Sequence, residues 1–286
     1  SRPDLSFDLD LGTVDLDAHR FSSRPGEAEA TGVPPILRRL EAEGRLKVER
    51  VRWAGLDVQD LDLHLAAKGG LLRADPVEAR LAGGSFQGRA QLDLGGAEAL
   101  PALRLRAEGV EVGPVARALA GRREMTGTAN LDLEFRSTGL DPAEWPKDLD
   151  GKAAFEILDG TVGFFGVPRD AEERPGERVN PFEETGRPTP FERIDGTLRA
   201  RNGVVANRDL RFQSELLSAA GNGIVDLRKQ RVAYDLAVRI PLLPDVWVRV
   251  AGPLHDPGVQ VQPLKMLTKS IEGIGKEALD LPGSIG

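Results

Sequence analysis

The 286-residue chain is 40% hydrophobic and 29% charged, a balance that supports a packed interior and argues against disorder. Its net charge of −7 denies nucleic acid the basic footprint that phosphate binding requires, and it makes an anionic membrane surface a poor target. There are no cysteines, which excludes disulfides, thiolate metal sites and cysteine nucleophiles together.

Aromatics are only 5%, so a core has to be assembled from Leu, Val, Ala and Ile. The 33 glycines and 20 prolines suit many short strands joined by turns. No stretch approaches the roughly 18 apolar residues of a membrane span, and no signal-like segment opens the chain. Ser1 is not an initiator methionine, so a processed or excised piece is expected, and the absence of a targeting segment or anchor here says nothing about the full-length protein.

The N-terminal residues Asp8, Asp10, Asp15 and Asp17 alternate with Phe7, Leu9, Leu11 and Leu16. They lack the glycine and terminal glutamate of a calcium loop and read as the wet face of an edge strand. Pro34–Glu43, with Ile36, Leu37 and Leu40 on one face and Gly44 after it, predicts a short amphipathic helix within a 33–46 segment. Period-two alternation then dominates. It runs through Leu61, Leu63 and Leu65, through Ala90, Leu92 and Leu94, through Leu103 and Leu105, and through Leu131, Leu133 and Phe135. Val115–Leu119 before Gly121, and Asp141–Lys147 around Trp145, are expected to be short helical pieces.

Phe155 and Ile157 resume the alternation, and the DG pairs Asp159-Gly160 and Asp195-Gly196 read as tight hairpin turns. Gly69-Gly70, Gly83-Gly84, Gly95-Gly96 and Asn202-Gly203 are further break points. Residues 168–190 are rich in Glu, Arg, Pro and Gly and predict a long polar surface loop. Leu210 and Phe212, the run Tyr234-Asp235-Leu236-Ala237-Val238-Arg239-Ile240, and Val246–Val250 close the strand series. The tail 263–286 reads as partly helical, interrupted by Gly273 and Gly275.

Each alternating run has one apolar and one charged face, the mark of an antiparallel sheet with one wet side, and the short links predict a meander. Residues 70–94 align without gaps on residues 203–227, matching Gly70 to Gly203, Ser85 to Ser218, Gly88 to Gly221 and Asp93-Leu94 to Asp226-Leu227. Each copy reads as three short strands, and repetition suggests a sheet extended by like units.

Nothing resembles a catalytic constellation. His19, His64 and His255 are far apart and read as strand-surface or turn residues. There is no G-x-S-x-G elbow, and the Gly-rich 83–88 stretch lacks the Lys-Ser/Thr of a phosphate loop, so it reads as strand-turn-strand. Trp53, Trp145 and Trp247 are isolated and read as core or edge packing. No metal site and no cofactor is expected, and the chain is not expected to be an enzyme.

Several phrases in fixed order resemble the AsmA family over roughly residues 35–263. They are Leu61–Leu94, Ala107–Gly139, Leu149–Val167 (LDGKAAFEILDGTVGFFGV), Thr189–Leu227 and Ala251–Pro263 (AGPLHDPGVQVQP). The resemblance implies a single, elongated, mainly β domain over 1–286: an extended, curved antiparallel sheet with an apolar concave groove and a few short peripheral helices. It implies a periplasmic location, an inner-membrane anchor, kinship with TamB and groove-shaped lipid-transfer proteins, and a role in outer-membrane biogenesis. The implied partner is phospholipid or another lipid acyl chain, moved between inner and outer membranes. An alternative is a scaffold that contacts envelope proteins through a strand edge or the 168–190 loop.

Alternation alone leaves open whether the apolar face is a groove or a dry core. The candidate lining is Leu61, Leu63, Leu65, Val77, Leu81, Phe86, Leu92, Leu94, Leu131, Leu133, Phe135, Phe155, Ile157, Leu210, Phe212, Leu236, Val238 and Ile240.

Overall fold

The structure is a computed structural model that describes residues 4–17, 38–53, 55–120, 125–163, 188–241, 245–255 and 257–263. It is one curved, open, 14-stranded sheet in strictly sequential strand order. The strands are β1 (Asp4–Asp15), β2 (Glu41–Trp53), β3 (Leu56–Lys68), β4 (Leu71–Leu81), β5 (Gly84–Asp93), β6 (Leu100–Glu111) and β7 (Thr128–Arg136). They continue as β8 (Asp150–Val162), β9 (Thr189–Arg201), β10 (Val204–Gln213), β11 (Ser218–Asp226), β12 (Arg231–Arg239), β13 (Val246–Pro253) and β14 (Gly258–Pro263). Helix α1 (Val112–Ala120) follows β6, and a single 3-10 turn (Trp145–Asp148) lies between β7 and β8.

From β2 to β14 every neighbouring pair is antiparallel, as the short links require. The exception corrects the all-antiparallel expectation: β1 pairs with β2 in parallel, Leu9 opposite Leu46 and Leu11 opposite Val48. The predicted 33–46 helix is also corrected at its C-terminal end, because Glu41–Glu43 open β2. Gly44 does not stop a helix. It sits inside β2 under the Phe7 ring, whose carbons would lie 2.6 Å from any Cβ there. Pairing on both sides outweighs local helix propensity at this point. Residues 34–37, His19 and most of the 168–190 loop and the 263–286 tail lie outside the described residues, though Thr189 and Pro190 begin β9.

Asp159-Gly160 and Asp195-Gly196 are not hairpin turns but lie inside β8 and β9. Asp159 takes a left-handed φ of 51°, and Gly160 lies so close under Phe191 that a Cβ would be 2.4 Å from its Cζ. The turns at Gly69-Gly70, Ala82-Gly83 and Asn202-Gly203 do carry the left-handed residues that such turns need.

The repeat is visible in three dimensions. β4 and β10 each shift register at the same aligned place, between Ala74 and Val77 and between Asn207 and Leu210. Leu94 N–H donates to the Gly70 carbonyl at 2.7 Å, and Leu227 N–H donates to the Gly203 carbonyl at 2.9 Å. Each copy holds two strands, not three, because a bulge joins the first two predicted pieces into one.

Side chains opposite one another share a face, so the registers divide the sheet into two surfaces. β5 shows it plainly. Gly84, Phe86, Gly88, Ala90 and Leu92 are buried or half-buried, whereas Ser85, Gln87, Arg89 and Gln91 are exposed. The outer surface is tied across strands by ion pairs. Arg45 Nε donates to Asp62 at 2.7 Å, Arg104 meets Glu134 at 3.2 Å, Arg193 meets Glu156 at 2.7 Å, and Arg249 meets Asp235 at 2.8 Å. Asp195 is the buried member, 7% exposed, and accepts from Arg193 Nε at 2.9 Å and Arg211 Nη2 at 2.6 Å. Burial pushes its carboxyl up, but the hydrogen bonds from Arg211 and Arg193 outweigh that and hold it below the usual carboxylate range.

A carboxyl lowered on folding contributes stability above its unfolded value, about pH 4, and loses it as pH falls through the lower folded value. Asp195→Asn is therefore expected to cost about 1–2 kcal/mol at neutral pH and to flatten the acid limb of the stability profile. Urea denaturation from neutral to acid pH checks this, and an unchanged acid limb would contradict it.

A continuous apolar face as the candidate functional site

The inner surface is built strand by strand from opposed apolar pairs. Leu46 faces Leu63, Leu63 faces Val77, Phe86 faces Ala107, Leu105 faces Leu133, and Leu133 faces Ala153. Further on, Ile157 faces Ile194, Ile194 faces Phe212, Ala219 faces Val238, and Leu236 faces Val248. Of the residues nominated from sequence, Leu61, Leu63, Leu65, Val77, Leu81, Phe86, Leu92, Leu131, Leu133, Phe135, Phe155, Ile157, Leu210, Phe212, Leu236 and Val238 all occupy paired positions on this one surface. Leu94 and Ile240 lie just beyond the ends of β5 and β12. Leu94, in the β5–β6 connection, is fully buried and packed with Ala99, Leu72 and Leu92.

Thirteen steps of about 4.8 Å between neighbouring strands make this surface about 60 Å long. Among the described residues each strand makes substantial contact only with its sheet neighbours, apart from a small contact of α1 with β3. No second layer of described residues covers the inner surface. Among the described residues, the largest side chains buried essentially completely are Leu94 and Val162.

The surface has three distinct parts. Along β1, Leu5, Leu9 and Leu11 are 40–53% exposed. Around β8–β11 the surface packs on itself: Val162, Phe191, Ile194, Phe212 and Ala219 form a buried cluster, with the Phe191 and Phe212 ring centroids 5.8 Å apart. Between these lies a cavity of about 310 Å³ over β4–β7, roofed by Trp145. The 3-10 turn carries Trp145 across the ends of these strands. Its ring lies 6.1 Å from that of Phe135, its Nε1–H donates to the Gly139 carbonyl at 3.1 Å, and Ser137 Oγ donates to its carbonyl at 2.8 Å.

One polar group interrupts the inner surface. Asn207, 5% exposed, stands at the bulge of β10. Its Nδ2 donates to the Thr197 carbonyl at 2.8 Å and to Asp209 at 3.0 Å, and its Oδ1 accepts from Leu210 N–H at 3.2 Å and from the Tyr234 hydroxyl. Burial, with the Asp209 carboxylate nearby, pushes the Tyr234 phenol up to about 12, so it stays a donor through the neutral range. The Tyr234 ring lies over Gly223 and Gly221, where a Cβ would come within 2.3 Å and 2.8 Å of ring carbons.

The sequence reading left out this Asn–Tyr group and the part Trp145 plays. Tyr234 is visible in its alternating run. The need for glycines beneath it has no one-dimensional signal.

Among the described residues no group of three or more His, Asp or Glu side chains could hold a metal ion. His64 lies on β3 beside Glu43, 3.1 Å away, and His255 lies in the turn after β13. Among the described residues no helix is long and apolar enough to cross a membrane.

Residues 15–210 match the AsmA family, more than half of the chain. The chain belongs to the AsmA family. It is 26% identical over 223 residues to Protein AsmA of Escherichia coli (strain K12), an alignment that covers 77% of this chain and 36% of that protein. The chain thus spans little more than a third of the curated AsmA protein it matches. No solved structure matches it. In this AsmA-family chain the match runs from the end of β1 into β10, so it takes in the Trp145 cavity and the first copy of the repeat.

The Asn207 group yields a stability ordering. Tyr234→Phe removes one donor and is expected to cost about 0.5–1.5 kcal/mol, whereas Asn207→Ala strands the Thr197 carbonyl and Leu210 N–H and is expected to cost about 2–3 kcal/mol. Urea midpoints of the two variants test the ordering, which equal losses would overturn.

Proposed function

We propose that this chain is a non-enzymatic module of the bacterial envelope that holds lipid acyl chains on its inner surface and conducts phospholipid between the inner and outer membranes. The observation that carries the reading is the long, largely apolar surface, interrupted at Asn207, that no second layer of described residues covers. A sheet that buries one face normally packs it against another element. Here the face is long, aliphatic and half-exposed, which suits a ligand that is itself long and aliphatic. Burying an acyl chain gains about 0.8 kcal/mol per methylene without any specific polar contact. Absence of strong directional groups also lets a chain slide. Membership of the AsmA family supports a place in the envelope, and the reading places the domain in the periplasm, attached to the inner membrane through sequence outside these residues.

Detergent-free purification followed by lipid extraction and mass spectrometry tests it. The wild-type domain is expected to carry stoichiometric phospholipid. Leu133 pairs with Leu105 on one side and Ala153 on the other, in the half-buried part of the surface. Leu133→Asp is expected to lower co-purified lipid several-fold while strand content by circular dichroism is retained. Phe212→Asp is a poorer probe, because Phe212 belongs to the packed cluster and the variant would lose about 3–5 kcal/mol. A folded wild-type domain without lipid, or a folded Leu133→Asp domain with undiminished lipid, would count against the proposal. The lipid-free outcome would favour the scaffold reading, with envelope proteins as the partners to seek.

A further inference from the structure

We infer that the cavity under Trp145 is a seat for the end of a single hydrocarbon chain, a fixed station on a surface along which acyl chains otherwise lie. The inference rests on the acyl-chain reading above and assigns it a place. The cavity is floored by Ala74 and Ala90, walled by Leu72, Leu103 and Phe135, and roofed by the Trp145 indole. Its volume is about 310 Å³, and it opens onto the inner surface. Arg73 and Gln91 belong to its strands but point to the outer surface, so no charge faces the space. The one polar group of the roof, the indole N–H, is already used by the Gly139 carbonyl. An occupant therefore gains nothing from being polar.

The repeat supplies an internal comparison. Ala74 aligns with Asn207 and Ala90 with Gly223. On the strands that follow the copies, Leu103, paired with Ala90, holds the place beside the first copy that Tyr234, paired with Gly223, holds beside the second. In the second copy the Asn207 side chain and the Tyr234 ring fill the hollow and satisfy each other. In the first copy two alanines do not fill it, and a tryptophan from outside the repeat is bound over it by two hydrogen bonds. The same backbone thus carries one plugged and one open version of a single pocket. The open one lies on the stretch of surface that runs between the exposed leucines of β1 and the packed cluster of β8–β11.

Trp145 is its own reporter. In the Trp53→Phe/Trp247→Phe double variant it is the sole indole, and dibromostearic acid, with stearic acid as control, is the probe. Bromine in the pocket is expected to quench more than half of the Trp145 emission, with stearic acid leaving it bright. Ala90→Leu fills the floor and is expected to weaken quenching about tenfold without lowering the melting temperature, and Ala74→Leu serves as the second variant if the first is destabilised. Probe bound stoichiometrically by mass spectrometry but without quenching would overturn this inference and leave the proposed function standing. A domain that binds neither probe nor phospholipid would overturn both. An emission already blue and indifferent to the probe would mean that side chains of the chain itself fill the pocket, and would also overturn it.

Discussion

The inner surface exists because side-chain alternation is kept in phase across strands as long as 13 residues. A strand presents every second residue to one face, and a slip of one residue turns the whole set over. In this chain the apolar positions do not keep a strict period of two. Val58 and Leu61, Ala74 and Val77, Ala107 and Val110, Ile157 and Gly160, and Asn207 and Leu210 are each three apart, yet all lie on the inner side. The interruptions fall at left-handed residues, Asp60, Gly109 and Asp159, or at register shifts. Each adds one residue and restores the phase beyond it. Without them the apolar residues on one side of every interruption would face water.

That device explains what was legible in the sequence and what was not. The short alternating runs identified the strands, their apolar faces and the meander, and nearly every nominated lining residue shares one surface. The same runs looked like separate strands wherever a bulge broke the period, which is why each repeat copy read as three pieces. Asp159-Gly160 and Asp195-Gly196 looked like turns for a related reason. Asp159 does adopt a turn-like φ, but within a ladder, and Gly196 is small because the Asn207 amide and the Phe155 ring crowd it. Glu41–Glu43 misled because helical spacing in a short segment cannot reveal that partners wait on both sides. The cavity had no signature at all, since it depends on two alanines being small and on a distant loop bringing Trp145 over them.

The two surfaces of the sheet divide the work of holding it together. Outside, cross-strand ion pairs and the buried Asp195 stitch neighbours with directional contacts. Inside, cohesion comes from aliphatic contact that is only half realised, except in the Phe191–Phe212 cluster. The divergence of the repeat follows the same division: its turns, bulges and backbone bonds are kept, while inner side chains differ, alanine at 74 against asparagine at 207 and alanine at 90 against glycine at 223.

Because the described strands make substantial contact only with the strands beside them, the fold has a length that is independent of its cross-section. Inserting one further hairpin would extend the sheet by about 10 Å and would disturb nothing beyond the two strands at the join. A compact sandwich cannot be altered in that way, since every added strand must find room in a shared interior. A protein built on this plan can be fitted to a gap of given width by changing the number of its strands, as a ladder is fitted to a wall by its rungs.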